Sequence, residues 1–266
     1  MAQDTASQPA LSWNIVGQGA IGLLAASRLL LAGYEVKLWL RQPGTISITF
    51  EQQQLQFSPA SAPLNAVLIP VKSYAVTDAI QALLPALTAD AQLVLSHNGM
   101  GTIEQVLPML GPEQGLWFLT TTHGALKQGN SVHHTGTGSS TLAALNSSAN
   151  VKQRQVQQAM DAALGPIKLT SDIQPALWHK LAINAVINPL TALHNCRNGE
   201  LAAPKHHQQI NALVGEVCQV ATACGYALDK DLTLQTVLQV IADTAQNFSS
   251  MQQELTHRRR TEIDAI

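Results

Sequence analysis

Two different periods of apolar residues run along the chain. In the first half, short apolar runs alternate with turn signals. Residues 13–16 (WNIV), 35–40 (EVKLWL), 66–71 (AVLIPV) and 92–96 (QLVLS) read as strands. Between the first two lies AIGLLAASRLLLAGY, of helical composition, which Gly33 stops. Residues 117–145 are rich in Thr, Ser, Gly and Val and predict further strands and turns that close the sheet with antiparallel pieces. From about residue 171 the spacing becomes helical in three stretches, 175–195, 209–226 and 232–247. Ser171 or Asp172 is expected to cap the first of them, with Gln174 three residues past Ser171. The pattern predicts an α/β fold: a Rossmann-type dinucleotide-binding domain over 1–170, then an all-α substrate domain over 171–266, with a ligand cleft between them.

The turn after the first strand is GQGAIG, so Gly17, Gly19 and Gly22 stand in a GxGxxG pattern with a strand before and a helix after. The first glycine makes the tight turn, the second lets the backbone approach a pyrophosphate, and the third permits close packing of helix on strand. The second strand ends at Arg41, where an NAD-binding domain usually places an acid to accept from the ribose 2′-hydroxyl. A guanidinium cannot accept a hydrogen bond but pairs well with phosphate. Arg41 therefore points to NADPH, or else is a surface residue at a strand end. Lys72 and Asn98 follow two further strands, at the carboxyl ends where such sheets hold ligands.

The first helical stretch raises a separate question. Lys180, Asn184 and Asn188 recur at intervals of four among aliphatic residues. Four residues turn about 400° in a helix, so the three share one face. Burying such groups unpaired costs several kcal/mol, so either an internal hydrogen-bond network or a ligand satisfies them. An ammonium with carboxamides one and two turns further on can protonate a ketone oxygen and hold a hydroxyl or carboxylate beside it.

Composition narrows the field. The 266 residues are 46% hydrophobic and 12% charged with a formal net charge of −2, which predicts a soluble globular protein and argues against nucleic acid or anionic membrane as partners, the one basic cluster, Arg258 to Arg260, reading as a solvated helix face. Cys196, Cys218 and Cys224 show no CxxC pairing and the nine histidines no ligand spacing, so no metal is expected. MAQDTASQPALS lacks the charged and apolar regions of a signal peptide, and the cytoplasm is the expected compartment.

Beyond the glycine fingerprint, the chain carries WLR (39–41), VK (71–72), HNGMGTIE (97–104), TTTH (120–123), ALWHKLAINAVINPLTAL (176–193), NCRNGEL (195–201), SSM (249–251) and TEID (261–264). In these motifs and their order it resembles the ketopantoate reductase family, from Trp13 to Ile266. The resemblance implies NADPH-dependent reduction of 2-dehydropantoate to (R)-pantoate in pantothenate biosynthesis. It implies that Lys180 is the catalytic proton donor and that Glu262 contacts the bound ligands and supports catalysis. Asn184, Asn188, Asn198 and Ser250 would bind substrate, and Asn98 both substrate and cofactor. The dinucleotide would lie on Gly17, Gln18, Gly19, Ala20, Ile21 and Gly22, with Arg41, Lys72, Ala125 and Glu262 as further contacts. Ala75 and Glu254 depart from the family pattern, the segment between Arg41 and Lys72 is short, and the family continues beyond Glu262 with another helix and a tail. A reductase of another small branched 2-oxo acid, and an NADPH-binding sensor without chemistry, stay open, as does the choice between monomer and dimer.

Overall fold

The computed structural model describes residues 11–266, so the signal-peptide reading falls mostly on residues outside it. Two compact units emerge. One holds the described residues up to His97 together with Thr102–Ser171, and the other holds Asn98–Gly101 together with Asp172–Ile266.

The first unit runs β1 (Trp13–Val16), α1 (Ala20–Leu31), β2 (Val36–Trp39), β3 (Ile46–Phe50), β4 (Gln53–Pro59), β5 (Leu64–Ile69), α2 (Val76–Leu83), β6 (Leu87–Leu95), α3 (Ile103–Val106), β7 (Gly115–Thr121), β8 (Gly124–Gln128), β9 (Ser131–Gly136), β10 (Ser140–Ala144), α4 (Ser147–Asn150), α5 (Gln153–Leu164) and β11 (Ile167–Thr170). The sheet order is β11-β10-β7-β6-β5-β1-β2-β4-β3-β9-β8. Its centre, β7-β6-β5-β1-β2, is parallel, with Trp13 facing Val36 on one side and Ala66 on the other. The apolar runs of β1 and β5 are near-continuous because both faces of these central strands are covered, while β2 alternates buried with half-buried positions. Antiparallel pairs occur towards the edges, β7 with β10, β3 with β4 and β8 with β9. Trp13, Leu24, Phe57 and Trp117 are fully buried, and the Trp117 indole N–H is satisfied by Gln92 Oε1 at 2.9 Å. Gly33, at φ +87°, takes the left-handed conformation that ends α1.

The hairpin of β3 and β4 was not among the strands expected from the sequence. It joins the sheet through β2, pairing parallel at Leu38 and Pro59.

The second unit contains α6 (Gln174–His194), α7 (Pro204–Ala223), α8 (Lys230–Asp243) and α9 (Ser250–Thr256). The start of α6 corrects the capping expectation. Ile173 is the N-cap and bonds no backbone with its side chain, while Asp172 Oδ1 accepts the Gln174 N–H at 2.9 Å from one residue further out. Asn195 ends the helix at φ +49°, a left-handed conformation that asparagine tolerates. α7 begins five residues earlier than its apolar pattern, at Pro204, whose fixed φ suits the first helical position. Val186, Ile187 and Leu190 of α6 pack with Leu201, Ile210, Val214, Val237 and Ile241 into this unit's core. No helix among the described residues is long and apolar enough to cross a membrane.

Candidate functional site

In the sheet unit, β1, β2 and β5 are adjacent and parallel, so the residues after their carboxyl ends share one edge. Gly17 follows β1 at φ +81°, exposed Arg41 lies two residues beyond β2, and half-buried Lys72 precedes the short 3₁₀ turn Ser73–Ala75 after β5. The three glycines differ in what demands them. A Cβ on Gly22 would meet Pro70 Cγ at 2.9 Å, so close packing of α1 on the chain after β5 requires it. Gly19 is the N-cap of α1 at φ −69° and ψ 163°, a conformation open to any residue, and a Cβ there would meet nothing within 4 Å. Neither strain nor crowding explains this glycine; a ligand close to the backbone does. No side chain caps α1, which leaves its first N–H groups to an anion, and Arg41 and Lys72 supply positive charge on the same edge. This set fits a phosphorylated dinucleotide.

In the helical unit, Lys180 and Asn184 are half-buried and Asn188 is buried, all on α6. Pro189 has no N–H to give the Ala185 carbonyl, which breaks the helical ladder beside Asn184 and Asn188. One turn on, the Thr191 hydroxyl lies 2.7 Å from both Ile187 O and Ser249 Oγ. Ser249 in turn accepts the Gln252 N–H at 3.1 Å and caps α9, whose first residue is the exposed Ser250. Thr191 and Ser249 thus tie the backbone of the Asn188 turn to the start of α9, where Ser250 lies.

Asn198 is tied into the same region by its N–H, which donates to Asn247 O at 2.9 Å. Its amide orientation follows from its partners. Thr244 gives its hydroxyl proton to Val240 O at 2.6 Å, so Thr244 Oγ1 accepts from Asn198 Nδ2 at 2.8 Å. Asn198 Oδ1 is left buried without a hydrogen-bond partner among the described residues. A buried acceptor of this kind recruits a donor such as a hydroxyl.

Asn98 and Glu262 form a further pair, with Nδ2 3.4 Å from Oε2 and Glu262 almost wholly buried. The structure thus links Asn98 with Glu262, ties the Asn188 turn to the start of α9, and holds Asn198 to the α8 end and the segment after it, while Lys180 and Asn184 extend the α6 face by two further turns. Among the described residues no group of three His, Cys, Asp or Glu is placed to hold a metal ion.

A family model described as ketopantoate reductase PanE/ApbA matches residues 13–147, and its C-terminal counterpart matches residues 172–266. The chain belongs to the ketopantoate reductase family. It is 40% identical over 259 residues to a 2-dehydropantoate 2-reductase of Vibrio cholerae, covering 95% of this chain and 87% of that one. A PanE/ApbA family ketopantoate reductase from Ralstonia eutropha JMP134 superposes with a TM-score of 0.82 at 25% identity, covering 96% and 88%. D-mandelate dehydrogenase with NADH and anilino(oxo)acetate shares the fold at a TM-score of 0.85 and 20% identity, covering 96% and 89%.

Within this ketopantoate reductase framework, sequence reasoning overlooked the residues that brace the polar set. Thr191 and Ser249 carry no periodic signal, since a threonine near the end of an apolar helix and a serine before another serine are both common. Gln18 was expected among the residues under the dinucleotide, but its partner Lys127 was not, and the side-chain and main-chain oxygens of Gln18 both accept from that lysine. Ala125, proposed as a backbone contact, lies on β8, partly buried against the sheet core.

Proposed function

We infer that this chain is an NADPH-dependent reductase that converts 2-dehydropantoate to (R)-pantoate. The observation that carries the reading is near full-length likeness to a 2-dehydropantoate 2-reductase, 40% identical over 95% of the chain. The residues offer the matching chemistry. When bound, NADPH supplies a hydride to the ketone carbon. Lys180 stabilises the negative charge that develops on the ketone oxygen and gives that oxygen a proton from Nζ, leaving a neutral amine that regains its proton from solvent. Asn184, Asn188 and Ser250 hold the substrate's carboxylate and carbonyl in register with the ammonium. The buried Oδ1 of Asn198 accepts the substrate's terminal hydroxyl, a group that simple 2-oxo acids lack. Glu262 and Asn98 orient the ligands. Arg41 pairs with the 2′-phosphate, and Lys72 with the neighbouring anionic groups. The substrate is a small 2-oxo acid, and the enzyme works in the cytoplasm as a monomer or dimer.

The test follows NADPH oxidation with 2-dehydropantoate on the wild type and on Lys180→Ala. Loss of a general acid lowers turnover by at least about 10²-fold. An unchanged rate removes Lys180 from the mechanism. Faster turnover of a straight or branched 2-oxo acid without the hydroxyl reassigns the substrate, and NADPH binding without oxidation by any of them reassigns the protein as a sensor.

A further inference from the structure

Lys127 lies on β8, which pairs antiparallel with β9 at the sheet edge. Residues alternate faces along a strand, so Lys127 and Ala125 share one face and the exposed Leu126 takes the other. The Lys127 ammonium donates to Gln18 Oε1 at 2.9 Å and to Gln18 O at 3.3 Å. Gln18 stands between Gly17, which turns the chain, and Gly19, whose α-carbon faces open space. A cation is thereby fixed one residue from the place where the backbone admits phosphate.

Three facts argue against a mere tie between strand and loop. Both partners on Gln18 are neutral oxygens, and no carboxylate among the described residues pairs with Lys127. Burial holds its amine below the ordinary lysine range, which marks a charge partly withdrawn from water without an anion to offset the loss. And an ammonium has three N–H donors, of which Gln18 takes two.

We propose that Lys127 is a binding residue for the diphosphate of the dinucleotide, its remaining N–H directed to a phosphate oxygen and its other two fixing Gln18 in the glycine-rich turn. The proposal rests on the cofactor reading above. It assigns Lys127 a role separate from that of Arg41: the diphosphate is common to NADPH and NADH, whereas the 2′-phosphate belongs to NADPH alone.

Titration of each dinucleotide into the full chain, followed by fluorescence, separates these roles. Lys127→Met weakens NADPH and NADH by the same factor, about tenfold, the scale of one charge-assisted hydrogen bond at a partly exposed site. Lys127→Arg restores most of the affinity. In turnover assays the Lys127→Met loss falls on KM for the dinucleotide rather than on kcat, and added salt narrows the gap between wild type and Lys127→Met. Unchanged affinity in Lys127→Met overturns the proposal, and so does a loss confined to NADPH. An equal loss in Lys127→Met and Lys127→Arg, accompanied by a lowered Tm in both, assigns the contact to folding instead and also overturns it. Failure of the wild type to bind either dinucleotide would strike the cofactor reading itself, a result distinct from all of these.

Discussion

Asn98 Nδ2 lies 3.4 Å from Glu262 Oε2, joining residues 164 positions apart. Two residues on, the Met100 N–H donates to Ala265 O at 3.2 Å, so the two segments are held by backbone as well as by side chains. A buried carboxylate is costly unless its charge is used or paired. Glu262→Gln keeps the shape and one acceptor oxygen for Asn98 while removing the charge and turning the other oxygen into an N–H donor. We expect kcat for NADPH oxidation with 2-dehydropantoate to fall by at least about tenfold, less than the roughly 10²–10⁴-fold of a direct general acid because Glu262 supports the proton transfer without making it. A rate within twofold of wild type, with Tm unchanged, would make Glu262 a structural residue.

Gly99 is where these segments touch most closely. A Cβ built there would lie 2.3 Å from Ala265 O and 2.8 Å from its carbonyl carbon, and φ is +81°. Gly101 shares the strained conformation, at φ +90°, but nothing lies within 4 Å of its Cβ position. Both Gly→Ala substitutions cost about 1 kcal/mol of backbone strain, and Gly99→Ala adds overpacking of about 1–3 kcal/mol. Gly99→Ala should therefore lower Tm more than Gly101→Ala and depress activity further by displacing Glu262. Equal effects in melts and assays would mean that segment 262–265 moves aside freely.

This contact also marks a limit of reading the chain as a string. Two glycines so close together, Gly99 and Gly101, signal a turn after the strand, but the grouping of Asn98–Gly101 with 172–266 depends on pairing with a segment more than 160 residues away, which no local pattern encodes. The α6 face and the glycine-rich turn were legible because each rests on a short period. The β3–β4 hairpin carries a period too, with Ile46, Ile48 and Phe50 alternating against Leu55 and Phe57. Its turn, however, is made by Glu51 and Gln52 at φ +46° and +67°, positions usually signalled by Asn-Gly, and without that signal the alternation does not mark a hairpin. The Asn198 amide orientation depends on where a threonine 46 residues away sends its proton, which no spacing shows.

Arg41 stands exposed after β2, so its charge is screened by water and its contribution is moderate. Arg41→Ala is expected to raise KM for NADPH about tenfold and leave KM for NADH nearly unchanged. Lys72, half-buried after β5, lies on the same edge, and Lys72→Ala is expected to weaken NADPH as well. Equal losses for both dinucleotides in Arg41→Ala would remove the 2′-phosphate assignment.

His123 sets a pH dependence of stability. Its Nε2 lies 3.1 Å from Gly165 O, which can only accept, so the proton resides on Nε2. Nδ1 then accepts from the Gly138 N–H at 3.2 Å and from His134 Nε2 at 2.9 Å, leaving no room for a second proton. Burial, first, and the neighbouring His134 and Arg28 charges hold the His123 pKa below the ordinary 6.5, against the opposing pull of the Gly165 carbonyl. His206, buried and 4.6 Å from the His194 ring, is lowered in the same direction, chiefly by burial. Both groups bind protons more readily in the unfolded chain. Their contribution is therefore complete above pH 6.5 and is lost as pH falls through that value towards the lower folded pKa. Tm should drop on acidification from pH 7 to about 5 by more than carboxylate titration alone produces. His123→Gln, which can still donate to Gly165 O, should be less stable at pH 7 yet lose less on acidification. A His123→Gln variant with the same slope as wild type would show that this buried imidazole is not the group being titrated.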